Sequence, residues 1–219
     1  MLCVISAIFS EISRLVELTG AQLIEDSIWY SEQKDLLVVS AGVGYLESAI
    51  QLQSLLFRFT DIKKVIFCGS AGVYPGVNTI KTGDVCLCQE TILCDSAAEI
   101  GLGLYASILP RNAIQSNLEI NDSLCSSRVL TTLSLTANDD LAISLRQNTK
   151  ADLENMELYG IASVCQKHSV LWNAILGITN IVGCNGHQEW SRNFRAMGKL
   201  ASDFLFKNMK ETEEAFNSD

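Results

Sequence analysis

The segment from Asp152 to Trp190 constrains the fold more than any other part of the chain. From Glu157 to His168, apolar residues recur at spacings of three and four, which is typical of an amphipathic helix. The following run, Val170–Ile178, is mostly apolar and too short to cross a membrane, so it predicts a strand that is covered on both faces. A helix followed by a doubly covered strand indicates an α/β fold with helices around a mostly parallel sheet.

The rest of the chain repeats this alternation. Strands are predicted at 2–8, 36–40, 64–68, 85–90, 129–135 and 170–178, a hairpin at 23–30, and helices at 10–18, 45–59, 139–146, 157–168 and 189–209. The glycine, proline and polar content of 92–121 predicts an excursion over the surface. No repeat or linker interrupts the pattern, so we interpret the 219 residues as one domain, 1–210, followed by a polar, acidic tail, 211–219.

Composition excludes several classes of partner. The formal net charge of −9 argues against nucleic acid and anionic membranes, which both need a basic face. Most of the eight cysteines lie in apolar patterns, no C-x-x-C occurs, and only His168 and His187 are available to complete a zinc site, so no metal is expected. The N-terminus lacks the basic region of a signal peptide. We therefore expect a cytoplasmic protein.

Three polar residues stand where α/β sheets bind their ligands. Glu11 follows the first predicted strand, Glu157 begins a predicted helix, and Asn180 ends the strand that comes next. Ligands of open α/β sheets lie at the carboxyl ends of the strands, so we expect Glu157 and Asn180 to face one crevice. Each residue also has a purely structural interpretation, because the helix dipole favours an acid at a helix start and Asn is common in turns.

Two glycine-containing segments follow predicted strands. The segment 42–47 (GVGYLE) begins like a dinucleotide-binding fingerprint but has Glu47 where the third small residue belongs, and no P-loop motif occurs. The segment 69–72 (GSAG) predicts a tight turn, whose backbone N–H groups either bind an anion or hydroxyl or serve close packing alone. Neither segment contains the Lys or Arg that normally holds a phosphate, although a distant segment could supply one.

Four segments in order resemble the nucleoside phosphorylase/nucleosidase family, in particular its 5'-methylthioadenosine/S-adenosylhomocysteine nucleosidases and futalosine hydrolases. They are residues 4–7 (VISA) leading to Glu11, 69–72 (GSAG) with 82–84 (TGD) beyond it, 155–157 (NME), and 178–180 (ITN). The correspondence runs from Met1 to about Lys210. The resemblance implies a three-layer α/β/α sandwich with a mixed, partly barrel-like central sheet, usually in a homodimer. It further implies a nucleoside substrate, water as the acceptor, and no cofactor.

The resemblance also implies roles for the matching residues. Glu11 would be the general base that activates water. In the segment 155–157, Glu157 would bind the ribose 2'- and 3'-hydroxyls, Met156 would pack on the sugar, and Asn155 would belong to the substrate-binding segment. The segment 69–72 would contribute Ser70, Ala71 and Gly72 beside the base. Carboxylates near the sugar suit this chemistry, because breaking an N-glycosidic bond develops positive charge on the ribose.

Asn180 decides the expected substrate. It occupies the position at which nucleosidases of adenine nucleosides place an Asp that promotes departure of the base. Asn cannot ionise, but it can donate to the 6-oxo group of hypoxanthine and accept from a protonated N7. The sequence pattern of the futalosine hydrolases resembles this chain at Asn180, Val182, Gly183 and Trp190. It resembles the segment 95–99 (DSAAE) more loosely. The prediction is release of hypoxanthine and dehypoxanthine futalosine, in menaquinone biosynthesis by the futalosine route.

Alternatives remain open at this point. The first is a 5'-methylthioadenosine/S-adenosylhomocysteine or 6-amino-6-deoxyfutalosine nucleosidase, and the second is a non-catalytic nucleoside-binding protein. Two departures from the family pattern bear on the choice: Asn155 replaces the usual acid, and the segment 183–187 (GCNGH) lacks an expected Arg. His187, Arg192 and Arg111 are the candidate partners for the 5' side of the substrate, although His187 also fits a surface loop.

Overall fold

The computed structural model of the protein describes residues 1–106, 112–120 and 124–216. Its strands are β1 (Leu2–Ser6), β2 (Gln22–Glu25), β3 (Ile28–Ser31), β4 (Leu36–Ser40), β5 (Lys64–Val73), β6 (Val85–Cys94), β7 (Ile114–Gln115), β8 (Ser126–Thr132), β9 (Leu153–Asn155) and β10 (Leu171–Ile181). Its helices are α1 (Phe9–Thr19), α2 (Tyr45–Arg58), α3 (Ser96–Glu99), α4 (Asp139–Thr149), α5 (Leu158–His168) and α6 (Gly186–Phe216).

The strands form one mixed sheet, part of which closes into a barrel. β5, β9, β8, β6 and β10 are neighbours in that order, and β10 pairs again with β5, so these five strands form a ring. β1, β4, β3 and β2 extend outward from β5, and β7 pairs with β6. The predicted α/β fold with a mixed, partly barrel-like central sheet is confirmed.

Helices cover both faces of the sheet because its strands are apolar on both sides. On one face, residues such as Ile5, Leu37 and Phe67 pack with apolar side chains of α2 and α5. On the other face, the alternate residues, such as Val4 and Ile66, pack with α1 and α6. Continuous apolar runs are what a doubly covered sheet requires. The three layers that the resemblance implied are therefore present.

Two strands run past the points at which the sequence predicts their ends. β5 continues through the segment 69–72, which is extended strand rather than the predicted tight turn, and β10 continues through Asn180 to Ile181. The two strands pair in parallel along this whole length, from Leu171 opposite Lys64 to Ile181 opposite Val73. These ladder hydrogen bonds satisfy the backbone groups that a turn would leave free, so tertiary pairing overrides local turn preference.

Other boundaries also shift. β6 extends to Cys94 along β8, so the predicted surface excursion of 92–121 begins later and contains α3 and β7. β8 lies about three residues earlier than predicted, and α6 continues into the predicted tail as far as Phe216. The division at residue 210 stays a prediction. Within the described ranges, no helix is long and apolar enough to cross a membrane.

Candidate active site

A cavity of about 500 Å³ opens beside the ends of β1, β5, β9 and β10. All eight residues that the sequence marked as a candidate site line it: Glu11, Ser70, Ala71, Gly72, Asn155, Met156, Glu157 and Asn180. The rest of the wall consists of Ala7, Ile8, Val43, Leu133, Ser134, Leu135, Thr136, Glu154, Thr179, Gly186, His187 and Trp190. The structure therefore brings the predicted site together, while the roles of its residues stay predictions.

Glu11 is a buried carboxyl in the first turn of α1, with 3% of its surface exposed. Its oxygens accept hydrogen bonds from Ser6 Oγ at 2.8 Å and from Ser70 Oγ at 2.5 Å. Ser70 in turn accepts a hydrogen bond from Trp190 Nε1 at 3.0 Å. Burial raises the pKa of Glu11, and the serine hydroxyls oppose the rise. Ser70 thus lies against Glu11 and fixes its carboxyl at the edge of the cavity.

Glu157 is a second buried carboxyl, at the N-cap position of α5. Its Oε1 accepts from the Gly44 backbone N–H at 2.9 Å and its Oε2 from Asn155 Nδ2 at 2.9 Å. Burial raises the pKa of Glu157 to about 7; the Gly44 N–H lowers it, and the charge of Glu11 adds to the rise. Gly44, at φ +94°, belongs to the glycine segment 42–47, which here serves a carboxylate rather than a dinucleotide.

Both the oxygen and the nitrogen of the Asn155 amide form hydrogen bonds with other residues of the chain. Its Oδ1 accepts from the backbone N–H groups of Glu157 and Leu158, both at 2.8 Å, and so caps the start of α5. Its Nδ2 donates to Glu157 and to the Ser70 carbonyl at 3.0 Å. The acid that the family pattern has at this position would set a further carboxylate against Glu157, whereas Asn provides a donor. Met156, between the two, is half-buried in the cavity wall.

Asn180 projects from β10 opposite Gly72 of β5. Its Oδ1 accepts from Thr179 Oγ1 at 2.7 Å, and its Nδ2 donates to the Ile181 carbonyl at 3.2 Å. A Cβ at Gly72 would lie 2.8 Å from Asn180 Nδ2, so glycine leaves the space that the amide occupies. Ala71 lies beside it, and its carbonyl accepts from Thr179 Oγ1 at 3.2 Å.

Sequence reasoning missed several residues of the wall, above all Glu154 and Thr136. Glu154 is buried in β9, and its position directly before Asn155 could have indicated that it belongs to the site. Nothing in the sequence around Thr136 indicates that it does. His187 lies at the start of α6 and is exposed at the cavity, where its ring stacks on Trp190 with centroids 5.7 Å apart. Arg192 is absent from the wall that the described residues form, and Arg111 lies outside those residues.

The chemistry of the cavity follows from its polar groups. Among the described residues, no cluster of three or more His, Cys, Asp or Glu side chains is placed to hold a metal ion. The wall that these residues form contains no Lys or Arg. The buried carboxyls of Glu11 and Glu157 and the amide of Asn180, around a space of this size, can stabilise positive charge, accept hydroxyl hydrogens and recognise a heterocycle. This combination defines a protein that handles a small polar molecule such as a nucleoside.

Comparisons with known proteins identify the family to which the chain belongs. Residues 26–212 match the family model described as the phosphorylase superfamily, so the chain belongs to that family and the predicted resemblance is confirmed. The chain is 27% identical over 181 residues to the 5'-methylthioadenosine/S-adenosylhomocysteine nucleosidase of Thermotoga maritima, covering 80% of each protein.

Solved structures share the fold. The corresponding nucleosidase of Helicobacter pylori, with butyl-thio-DADMe-Immucillin-A, matches with a TM-score of 0.83 and 18% identity over 96% of this chain and 97% of that one. The native futalosine hydrolase of H. pylori matches with a TM-score of 0.82 and 18% identity over the same shares. Because proteins with both names match almost equally well, the fold alone does not distinguish the two activities.

Proposed function

We propose that the protein is a nucleosidase that hydrolyses the N-ribosidic bond of futalosine, releasing hypoxanthine and dehypoxanthine futalosine for menaquinone biosynthesis. The observation that carries the proposal is the presence, in one cavity, of two buried carboxyls, those of Glu11 and Glu157, with the neutral amide of Asn180.

The carboxyls support hydrolysis. Glu157 already accepts two N–H donors, and its remaining lone pairs can accept the ribose 2'- and 3'-hydroxyls. As the bond from C1' to the purine nitrogen breaks, Glu11 takes a proton from the attacking water and the departing purine takes up one proton from solvent. The raised pKa that burial causes makes Glu11 a better base near neutral pH. Both charges stabilise the cationic ribose of the transition state. Water is the acceptor because the described cavity wall offers no Lys or Arg to a phosphate.

Asn180 supports a 6-oxo purine. Thr179 donates to its Oδ1, which orients the amide, and Nδ2 has one hydrogen beyond the one that it shares with the Ile181 carbonyl. That hydrogen can be donated to the 6-oxo group of hypoxanthine, whereas the 6-amino group of adenine would present a second donor to it. A donor facing a donor in a bound complex discriminates between substrates.

A second candidate is hydrolysis of 5'-methylthioadenosine or S-adenosylhomocysteine, the substrates in the name of the T. maritima relative. Hydrolysis of 6-amino-6-deoxyfutalosine is a variant of the same alternative. A nucleoside-binding protein without turnover is the alternative of another class. It would have no use for Glu11 as a base, so Glu11 distinguishes it from both enzymes.

Incubation with a nucleoside panel tests the proposal. The purified protein is incubated with futalosine, 6-amino-6-deoxyfutalosine, 5'-methylthioadenosine and S-adenosylhomocysteine, and the free purine is identified by chromatography. We expect hypoxanthine from futalosine to be the fastest product, and E11A to abolish release. Faster adenine release would favour the second candidate, and absence of release from every nucleoside would favour the binding protein.

We also propose that the enzyme is a cytoplasmic homodimer. Leu46, Ile50 and Phe57 are exposed at helical spacing along α2, and an apolar helix face of this kind is typical of an interface between protein chains. The cytoplasm keeps the buried thiols reduced. Light scattering on the purified protein measures the mass, and a monomeric mass at micromolar concentration would contradict the dimer.

A further inference from the structure

We propose that Glu154 is a positioning residue that fixes the wall of the cavity on the purine side, by clamping Thr136. The inference rests on the proposed nucleosidase function and concerns base recognition at the same site. Glu154 is the third buried carboxyl of the cavity. The proposed binding of the ribose and activation of water use Glu157 and Glu11 and leave Glu154 without a role.

Glu154 holds one residue of the wall through both of its oxygens. Thr136 N–H donates to Glu154 Oε1 at 3.1 Å, and Thr136 Oγ1 donates to Oε2 at 2.6 Å. Tyr74 OH donates to the same Oε2 at 2.7 Å. Only 6% of Glu154 is exposed, and all three partners are neutral donors. A carboxylate suits this arrangement because it accepts at both ends, whereas an amide would turn N–H groups toward a donor.

The sheet register places this clamp across the cavity from Asn180. Gly72 of β5 lies opposite Asn180 on β10 and opposite Glu154 on β9. Residues opposite each other on neighbouring strands point to the same face of the sheet, so the side chains of Asn180 and Glu154 reach the cavity from either side of Gly72, which has no side chain. Glu157, three residues after Glu154, lies on the side assigned to the sugar. Glu154 therefore lies at the base end of the cavity.

The segment that Glu154 clamps forms part of the cavity wall. Residues 133–138 connect β8 to α4, and the first four of them line the cavity, yet Leu133 is 74% exposed and Leu135 is 51% exposed. Side chains this exposed contribute little burial to hold the segment in place. Two hydrogen bonds from Thr136 to a buried carboxyl supply that anchor, and bonds to an ionised acceptor are the stronger kind. Loosening the anchor moves the surface against which the base packs.

The kinetic consequence separates this role from catalysis. A wall that contacts the base does so in the substrate and in the transition state alike, so its displacement raises KM and leaves kcat nearly unchanged. A group that touches the reacting atoms would lower kcat instead.

The test compares Thr136→Val, Glu154→Gln and Tyr74→Phe with the wild-type protein. Tyr74 is outside the described cavity wall and its hydroxyl contacts both Glu154 and Thr136, so its loss can act on the base only through that pair. Thr91→Val is the matched control, because it removes a buried threonine hydroxyl of the same barrel, on β6, from a residue that is not part of the described cavity wall. KM and kcat are measured on the best nucleoside of the panel, the Kd for free hypoxanthine and adenine by calorimetry, and the Tm for each variant.

We expect KM and the Kd for the base to rise roughly 3–10-fold in Thr136→Val and Glu154→Gln, and less in Tyr74→Phe, with kcat within about twofold of wild type. Thr91→Val should leave KM unchanged. If Tm falls in the Thr136 and Glu154 variants while KM and Kd stay at wild-type values, the cluster only stabilises the fold and the inference is overturned. A loss of kcat above about 100-fold in Glu154→Gln alone would overturn it by making Glu154 catalytic.

Failure of the proposed function gives a different result. A wild-type protein that neither releases nor binds a purine overturns both proposals before any variant is made. An active wild type with unaltered variants overturns only the role of Glu154. Should Glu154→Gln fail to fold, the Thr136 and Tyr74 variants still decide the question.

Discussion

Glu157 is predicted to reduce the stability of the fold while it serves the site, and the variant E157Q measures both effects. Glutamine preserves the shape of the side chain but removes its charge. In the native protein, burial raises the pKa of Glu157 to about 7, the Gly44 N–H opposes the rise, and the charge of Glu11 increases it. The ionised carboxyl is therefore held in an environment that favours its protonated form.

The size of the effect follows from the pKa. The ordinary pKa of a Glu is 4.5 and that of Glu157 is about 7, and each tenfold change in a proton equilibrium corresponds to about 1.4 kcal/mol. The native state thus binds this proton more tightly than the unfolded state, and the stabilisation is fully present below pH 4.5 and lost as pH rises through 7. The loss amounts to about 3 kcal/mol, and glutamine, which has no such proton, avoids it.

Urea unfolding at several pH values tests this prediction. We expect the free energy of unfolding of E157Q, minus that of the wild type, to increase by about 2.5 kcal/mol between pH 5 and pH 8, since part of the full effect lies below pH 5. Glutamine also changes stability by an amount that does not depend on pH, because its amide meets the N–H donors of Gly44 and Asn155. The prediction therefore concerns only the change of the difference with pH. The control is E32Q, which removes the carboxyl of an exposed acid outside the described cavity wall.

Activity should change in the opposite direction. E157Q should lose at least about 100-fold in kcat/KM for the nucleoside, because two hydroxyls lose a charged acceptor. For the wild type, kcat/KM should fall about tenfold per pH unit below pH 7, as Glu157 becomes protonated. If the free energies of unfolding of E157Q and wild type differ by the same amount at every pH from 5 to 8, the reasoning is refuted, because the pKa of Glu157 is then not raised.

Three further predictions concern other parts of the structure. E11Q should lower kcat at least about 100-fold and keep the affinity for free base, measured by calorimetry, because only the activation of water is lost; undiminished turnover would exclude Glu11 as the base. N180D should shift the ratio of futalosine to 5'-methylthioadenosine hydrolysis toward the 6-amino substrate by at least about tenfold, and an unchanged ratio would contradict the role of Asn180. G160A should destabilise the protein by about 3 kcal/mol in thermal unfolding, because its Cβ would lie 2.0 Å from the Tyr45 carbonyl oxygen; an unchanged Tm would mean that α2 and α5 separate easily.

The sequence predicts much of the fold because strand signals are strong wherever both faces are buried. The strand Leu36–Ser40 is predicted with its observed bounds, since its four apolar residues are flanked by polar and glycine residues and all four are buried. Membership of the site is predictable for a related reason: the ends of parallel strands and the following helix starts converge, so Glu11, Glu157 and Asn180 reach one cavity from distant parts of the chain.

The remaining features depend on contacts that a local pattern cannot contain. Glu154 and Thr136 are 18 residues apart in sequence, and nothing in either neighbourhood indicates that one holds the other. Likewise, Asn155 is expected to face the substrate from its place in the motif, yet its amide is used by Glu157, Leu158 and Ser70. Such assignments require the positions of both partners, which only the folded chain provides.

The extension of β5 through the segment 69–72 explains why the site is compact. In a strand, Ser70 and Gly72 point to the same face, so one short piece of backbone serves two parts of the cavity. Ser70 holds Glu11 through its hydroxyl, and Gly72 leaves the space for the amide of Asn180. A tight turn at this segment would direct these two positions apart. The glycines of this segment therefore make room for neighbouring side chains within a strand, although the same residues are also typical of a tight turn.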